Sequence, residues 1–461
     1  MARPIRSAWV ACALLAVGGA VAAGGLAGAE DHAGRPVSAA ADSVVRSASA
    51  SAPRTPSAPS TQPSPIPAAA TSSPDDSISQ ADLAAFVTAH SEALKHKNRA
   101  QFLAAVDPKN RALVTSQGQL FDNLLKIPFK TAQYSLELAD SDSETATAMV
   151  AFDHQITGVD SVPVEELYQW TVQRSGVNGP LEVTAVAGAP SENDYPAPWD
   201  AVAGLTVLTR SKVVIMADDT SASFAKSHAN AIERDAEYDF AHWTGGSGTA
   251  PGFAVFLTAN RSRYEGIYSQ NRTESVGVTV PIAAAGNDDG FYPSSRIAID
   301  TSQYKNVDFA DADIVFKHEM AHAMIMPFDD QSARSGEDHL WVVEGFAEWE
   351  SQRMYSTSEL LYEGSTLHAY IAKHGVPHAL PTDSQVYSAN ADTSALGYFY
   401  AHMAVRYIAV KYGPAKVDQF VLAVYKHATE ANCVDDAMKN VLGTTTAQFT
   451  QAYAKWVRYS V

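Results

Sequence analysis

The 461-residue sequence predicts an α+β protein in two parts. In the smaller part helices precede antiparallel strands; in the larger one strands precede a run of helices. Three observations carry this. Between Asp75 and about Pro198 a helical stripe of apolar residues gives way to period-two alternation. Pro196-Ala-Pro198 then punctuates the chain, and β-rich runs recur up to Asp300. From Ile314 onward the apolar residues fall at helical spacing.

Residues 1–29 open with Arg3 and Arg6 and continue as an Ala-, Leu-, Val- and Gly-rich run ending Ala27-Gly28-Ala29, which suits cleavage before Glu30. They are expected to be a signal peptide. The run Ala8 to Ala29 is also long enough to stay as an anchor, since about 20 apolar residues span a bilayer. Cys12 lies too early in that run for a lipid-attachment site. Residues 30–74 are mostly Ala, Ser, Pro and Thr, with too few large apolar side chains to bury a core, and are expected to be a disordered linker. The chain is therefore expected to be secreted or extracellular, or held at the membrane by its N-terminal segment alone.

After residue 74 the only cysteine is Cys433, which excludes an intramolecular disulfide and a cysteine-based zinc site there. The same portion holds 28 Lys and Arg against 48 Asp and Glu. Such a surface disfavours nucleic acid and anionic lipid as partners. Oligomeric state is not encoded in any pattern of the sequence.

Residues 75–198 read as an accessory α+β domain. Ser79 and Asp82 have capping-box spacing, and Leu83, Phe86, Val87, His90 and Leu94 form one helical stripe. A second helix is expected over Arg99 to Val106, stopped near Pro108. Tyr134, Leu136 and Leu138 then alternate, as do positions in Ala146 to Phe152 and Leu167 to Val172, which reads as an antiparallel sheet. Two helices followed by long strands resemble the cone-shaped fold of nuclear-transport-factor-2-like domains. His90, His96 and His154 are scattered and assemble no catalytic set.

Residues 199–461 form the second domain. Strands are expected at Val213 to Met216, Phe253 to Leu257, Val276 to Val280 and Ser295 to Asp300, with a helix from Thr220 to about Tyr238. Helices follow at Ser365 to His374, Tyr398 to Tyr412 and Val417 to His427.

The chemistry is concentrated between Val315 and Glu350. His318-Glu319-Met320-Ala321-His322 lies among Ile314, Val315, Phe316, Ala323 and Met324, so the pentad sits on a buried helix. Residues four apart share a helix face, which lets both imidazoles reach one metal ion with Glu319 beside it. A catalytic zinc takes three protein ligands and leaves one position for water. Glu344, in Trp341-Val-Val-Glu-Gly-Phe-Ala-Glu-Trp349, is the best third donor. His339, Asp338 and Glu337 are rival donors in a polar turn. Glu348, one turn beyond Glu344, faces the same way and can accept from the free N–H of a ligating histidine.

HEMAH followed by WVVEGFAEW resembles the gluzincin metallopeptidases, over roughly Leu205 to Val461. The resemblance implies a zincin metallopeptidase domain, with a mixed sheet packed on the pentad helix and an all-helical C-terminal subdomain. It implies one Zn2+ per chain on His318, His322 and Glu344, Glu319 as general base, and a peptide or protein substrate. The cleft-lining edge strand would be Val276 to Ile282, able to pair with extended peptide. The aminopeptidase branch has a G-x-M-E-N segment there; this chain has Ala283-Ala-Ala-Gly-Asn287, without the Glu. Tyr398, 15 residues before Gly413, matches the family's oxyanion-stabilising tyrosine, with Tyr400 the nearest substitute. A catalytically idle, peptidase-like binding or structural protein that retains the zinc site is the alternative. A zinc hydrolase acting on another bond is a third reading.

Overall fold

The computed structural model describes residues 77–140, 144–176, 178–189, 195–269, 275–286, 291–304, 309–329, 338–361, 366–428 and 430–460. The signal-peptide and linker expectations, Glu337 and Asn287 lie outside the described residues. The molecule is mixed α+β, and among the described residues no helix is long and apolar enough to cross a membrane.

Helix α1 (Gln80–Lys95) starts at the expected capping box: Asp82 N donates to Ser79 Oγ at 3.1 Å and Ser79 N donates to Asp82 Oδ2 at 3.2 Å. Helices α2 (Arg99–Ala104) and α3 (Arg111–Leu124) follow. The sequence reading missed α3, whose Leu120, Phe121 and Leu124 are buried but whose pattern is broken by Gln117, Gly118 and Asn123, polar or small residues that are buried too. The strands β1 (Phe129–Asp140), β2 (Thr145–Ile156), β3 (Val164–Arg174) and β4 (Leu181–Gly188) pair antiparallel in sequence order. β3 alternates buried and half-buried positions, the mark of a sheet with one face in the core.

The second sheet has the order β5-β6-β7-β9-β8, from β5 (Thr206–Thr209), β6 (Val213–Ala217), β7 (Phe253–Thr258), β8 (Gly277–Ile282) and β9 (Ser294–Asp300). β6, β7 and β9 run parallel, and every residue of these three strands is buried. Strands covered on both faces favour continuous apolar runs, which made β6 and β7 legible; in β9 only Ile297 to Ile299 are apolar, between buried Ser294, Ser295, Arg296 and Asp300. Val213, Ile215, Val255, Leu257, Ile297 and Ile299 join one apolar core with helices α4 (Ala222–His242), α5 (Phe309–Ile325), α6 (Leu340–Gln352), α7 (Ala391–Tyr412) and α8 (Pro414–Lys426). Their neighbours Val214, Met216, Ala254, Phe256 and Ala298 join the other core, shared with α1, α3 and the four-stranded sheet. The period of two thus assigns alternate residues to opposite sides, and the described residues after Asp76 form one compact unit.

A fully buried ion pair stitches the two sheets. Arg296 of β9 donates to Asp160 Oδ1 at 2.8 Å and Oδ2 at 3.1 Å, and its Nη2 stands 3.0 Å from His154 Nε2. Ser294 Oγ and Ile156 N complete the carboxylate's shell at 2.6 and 2.7 Å.

Candidate metal centre

Three elements meet at the centre. α5 is apolar around most of its circumference and lies buried between the five-stranded sheet and α6. Its His318 and His322 sit one turn apart, with Nε2 atoms 3.1 Å from each other. α6 presents Glu344, Glu348 and Gln352 as a stripe at four-residue spacing. Gly345 lets α7 close against α6: a Cβ there would stand 2.5 Å from Ala401 O.

Glu344 Oε2 lies 3.4 Å from His318 Nε2 and 3.3 Å from His322 Nε2. With the 3.1 Å between imidazoles, the three atoms make a nearly regular triangle. Ligands at ~2.1 Å around a tetrahedral zinc stand roughly 3.4 Å apart, so the donor set fits that ion in chemistry and in spacing. The imidazole side chains are 11 and 12 % exposed against 4 % for Glu344, so the triangle is least covered on the histidine side.

Behind the triangle the stripe continues as a chain of contacts. Glu348 Oε1 stands 3.4 Å from His318 Nδ1, the arrangement that leaves Nε2 for the centre. Glu348 Oε2 accepts from Gln352 Nε2 at 2.7 Å and faces His402 Nδ1 at 3.8 Å. Arg406 Nε donates to His402 Nε2 at 3.0 Å, and its other nitrogens bond Tyr355 O and Gln352 O. Burial opposes ionisation of Glu348, yet His318 and His402 hold its carboxyl down at about 2. Burial brings His402 down to about 4. Burial also works against a charged Glu344, and His322 and His318 overcome it to keep that carboxyl well below the ordinary range.

Glu319 flanks the triangle against β8. Thr279 Oγ1 stands 2.9 Å from Glu319 Oε2 and 2.8 Å from Glu319 O. Gly277, two residues earlier on the same strand face, leaves room for the carboxylate; a Cβ there would stand 2.5 Å from Glu319 Oε1. Burial pushes the Glu319 carboxyl up, and His318, His322 and Thr279 pull against that without cancelling it.

The tyrosines differ from the expectation in detail. Tyr398 is buried, and burial with the nearby Glu344 carboxylate, to which it is hydrogen-bonded, holds its phenol well above the usual value. Tyr387, half-buried between helices, donates to Glu344 Oε1 at 2.5 Å. Tyr400 points away and donates to Gly375 O at 2.7 Å. His339 faces Asp383 at 4.0 Å and Asp338 accepts from Asp383 N, so neither rival donor is turned to the triangle. Sequence reading missed Tyr387, Thr279, Gly277 and His402. The last was within reach: Tyr398, His402 and Arg406 repeat every four residues in an otherwise apolar buried helix.

A solved structure is similar to this chain. It is an M1 zinc metallopeptidase mutant bound to a Tyr-Ser-Ala substrate, from Deinococcus radiodurans, at 13% identity and a TM-score of 0.33, with 68% of this chain and 90% of that one covered. No protein-family model matches the chain, and neither does any curated protein.

Proposed function

We propose that the chain is an exported zinc-dependent peptidase. The observation that carries this reading is the triangle of His318, His322 and Glu344 with Glu319 fixed beside it by Thr279. A structural site gains nothing from a buried, unligated carboxylate at its open side, whereas hydrolysis requires a base there. Zinc bound by the three residues supplies a Lewis acid that acidifies water and polarises an amide carbonyl.

The protein's own groups do the rest. Glu319 takes the proton of the attacking water and hands it to the leaving nitrogen. Thr279 holds the carboxylate in line. Glu348, His402 and Arg406 keep the His318 ring oriented, and Tyr387 does the same for Glu344. Tyr398, whose one O–H is bonded to Glu344 in this structure, turns it to the developing oxyanion as charge builds there. The basic head and apolar run of residues 1–29 support export.

Glu319→Gln tests the assignment. The variant is expected to keep one zinc per chain and to lose about 10²–10⁴ in kcat on peptides. A Gln variant as active as the parent would contradict the mechanism.

A further inference from the structure

Strand β8 stands at the edge of its sheet, and its outer side changes character along its length. Asp300 N donates to Val276 O at 2.7 Å, one step beyond the Gly277–Ile299 pair of the β8–β9 ladder. Paired and unpaired residues alternate in such a ladder. Val278, Val280 and Ile282 therefore pair with β9, while Gly277, Thr279 and Pro281 turn their backbone groups outward. Among the described residues no backbone group meets Gly277 or Thr279 on that side.

Just past β8 the same side is taken. Glu165 N donates to Ala283 O at 3.0 Å, Ala285 N donates to Pro163 O at 3.1 Å, and Val164 bridges Ala284 antiparallel. Gly286 N adds a 2.9 Å bond to Glu165 Oε2. These residues belong to the start of β3, on the edge that β4 occupies only from Tyr168 onward. The four-stranded sheet thus caps the outer edge of the strand that flanks Glu319.

Resting on the peptidase reading, we propose that the amino-terminal sheet is a stop that limits the substrate to peptides cleaved close to their amino terminus. Thr279, bonded to Glu319, marks the reacting centre. Ala283 lies four residues further, about 13 Å at the rise of an extended strand. A peptide that pairs on this edge in the antiparallel sense of Val164 on Ala284 runs with its amino terminus toward Ile282, and it meets Pro163 to Glu165 about four residues before the bond that is cut. Interior bonds of a long chain cannot reach the centre without displacing β3 from Ala283 and Ala285.

The test uses the zinc-loaded full-length protein and two sets of unstructured peptides, one lengthened on the amino side of the scissile bond and one on the carboxyl side. kcat/KM is measured on the parent, and affinity on Glu319→Gln. The stop predicts that both fall about tenfold or more once the amino side passes about four residues, with little change on the carboxyl side. Glu165→Pro removes the N–H that bonds Ala283 and recovers the longer peptides. The N–H of residue 165 points away from β2, so the β2–β3 ladder keeps its bonds. Equal kcat/KM at chain ends and at interior bonds overturns the stop and leaves the peptidase reading intact. Neither cleavage nor binding at any length overturns both.

Discussion

Two clusters of buried polar groups lie on opposite sides of the central sheet, and they are built on opposite principles. At the seam, Arg296 brings its own positive charge to Asp160, and Ser294, Ile156 and His154 complete the shell. At the triangle of His318, His322 and Glu344, two imidazole nitrogens and a carboxylate oxygen converge on one point, and the cation in the contacts behind them, Arg406, stands beyond His402 and Glu348. The seam is closed and serves stability. The triangle of donors could hold a cation, with Glu319 beside it but outside the donor set, as the proposed peptidase reading requires.

That contrast breaks most visibly at the seam. Arg296→Leu leaves Asp160 buried without its partner and is expected to cost about 3–5 kcal/mol in denaturant unfolding. Zinc stoichiometry of the folded fraction should be unchanged; loss of zinc together with stability would mean that the two clusters are not separate. Gly277→Ala addresses the Glu319 side of the triangle. Its methyl group displaces the Glu319 carboxylate, so kcat should fall about ten- to a hundredfold, with zinc content and melting temperature near those of the parent.

A third effect concerns acid. His90, packed on Phe102, Tyr134 and Trp170, is held near 3 by burial against an ordinary value of 6.5. The unfolded chain binds a proton there that the folded chain refuses, so stability falls as pH drops through that window, by about 1.4 kcal/mol per unit. His90→Phe should flatten the slope of unfolding free energy against pH between about 6.5 and 3; an unaltered slope would place the acid sensitivity elsewhere.

Legibility followed the strength of the pattern. The pentad and the Glu344–Glu348 pair were readable because helix period and chemistry coincide in a few turns. β6 and β7 were readable because burial on both faces favours unbroken apolar runs; in β9 the signal was the short Ile297-Ala-Ile299 core between polar residues. Tyr387 had no such signal: it lies in a polar connection 43 residues from the glutamate it bonds. Thr279 and Gly277 matter through a contact between a strand and a helix that no local period encodes. The change of period near Pro198 was readable, whereas the core that runs across it depends on which side chains of β6, β7 and β9 face away from α5. α3 escaped because Gln117 and Asn123 are buried polar residues, the latter donating to Trp199 O and Val202 O at 3.1 and 2.6 Å.

The most direct measurement is metal content by mass spectrometry on the purified protein and on Glu344→Ala in parallel. One zinc per chain is expected in the parent, and its loss in the variant. A parent that takes up no zinc when supplied with it, or a variant that binds as much as the parent, would contradict the centre described above.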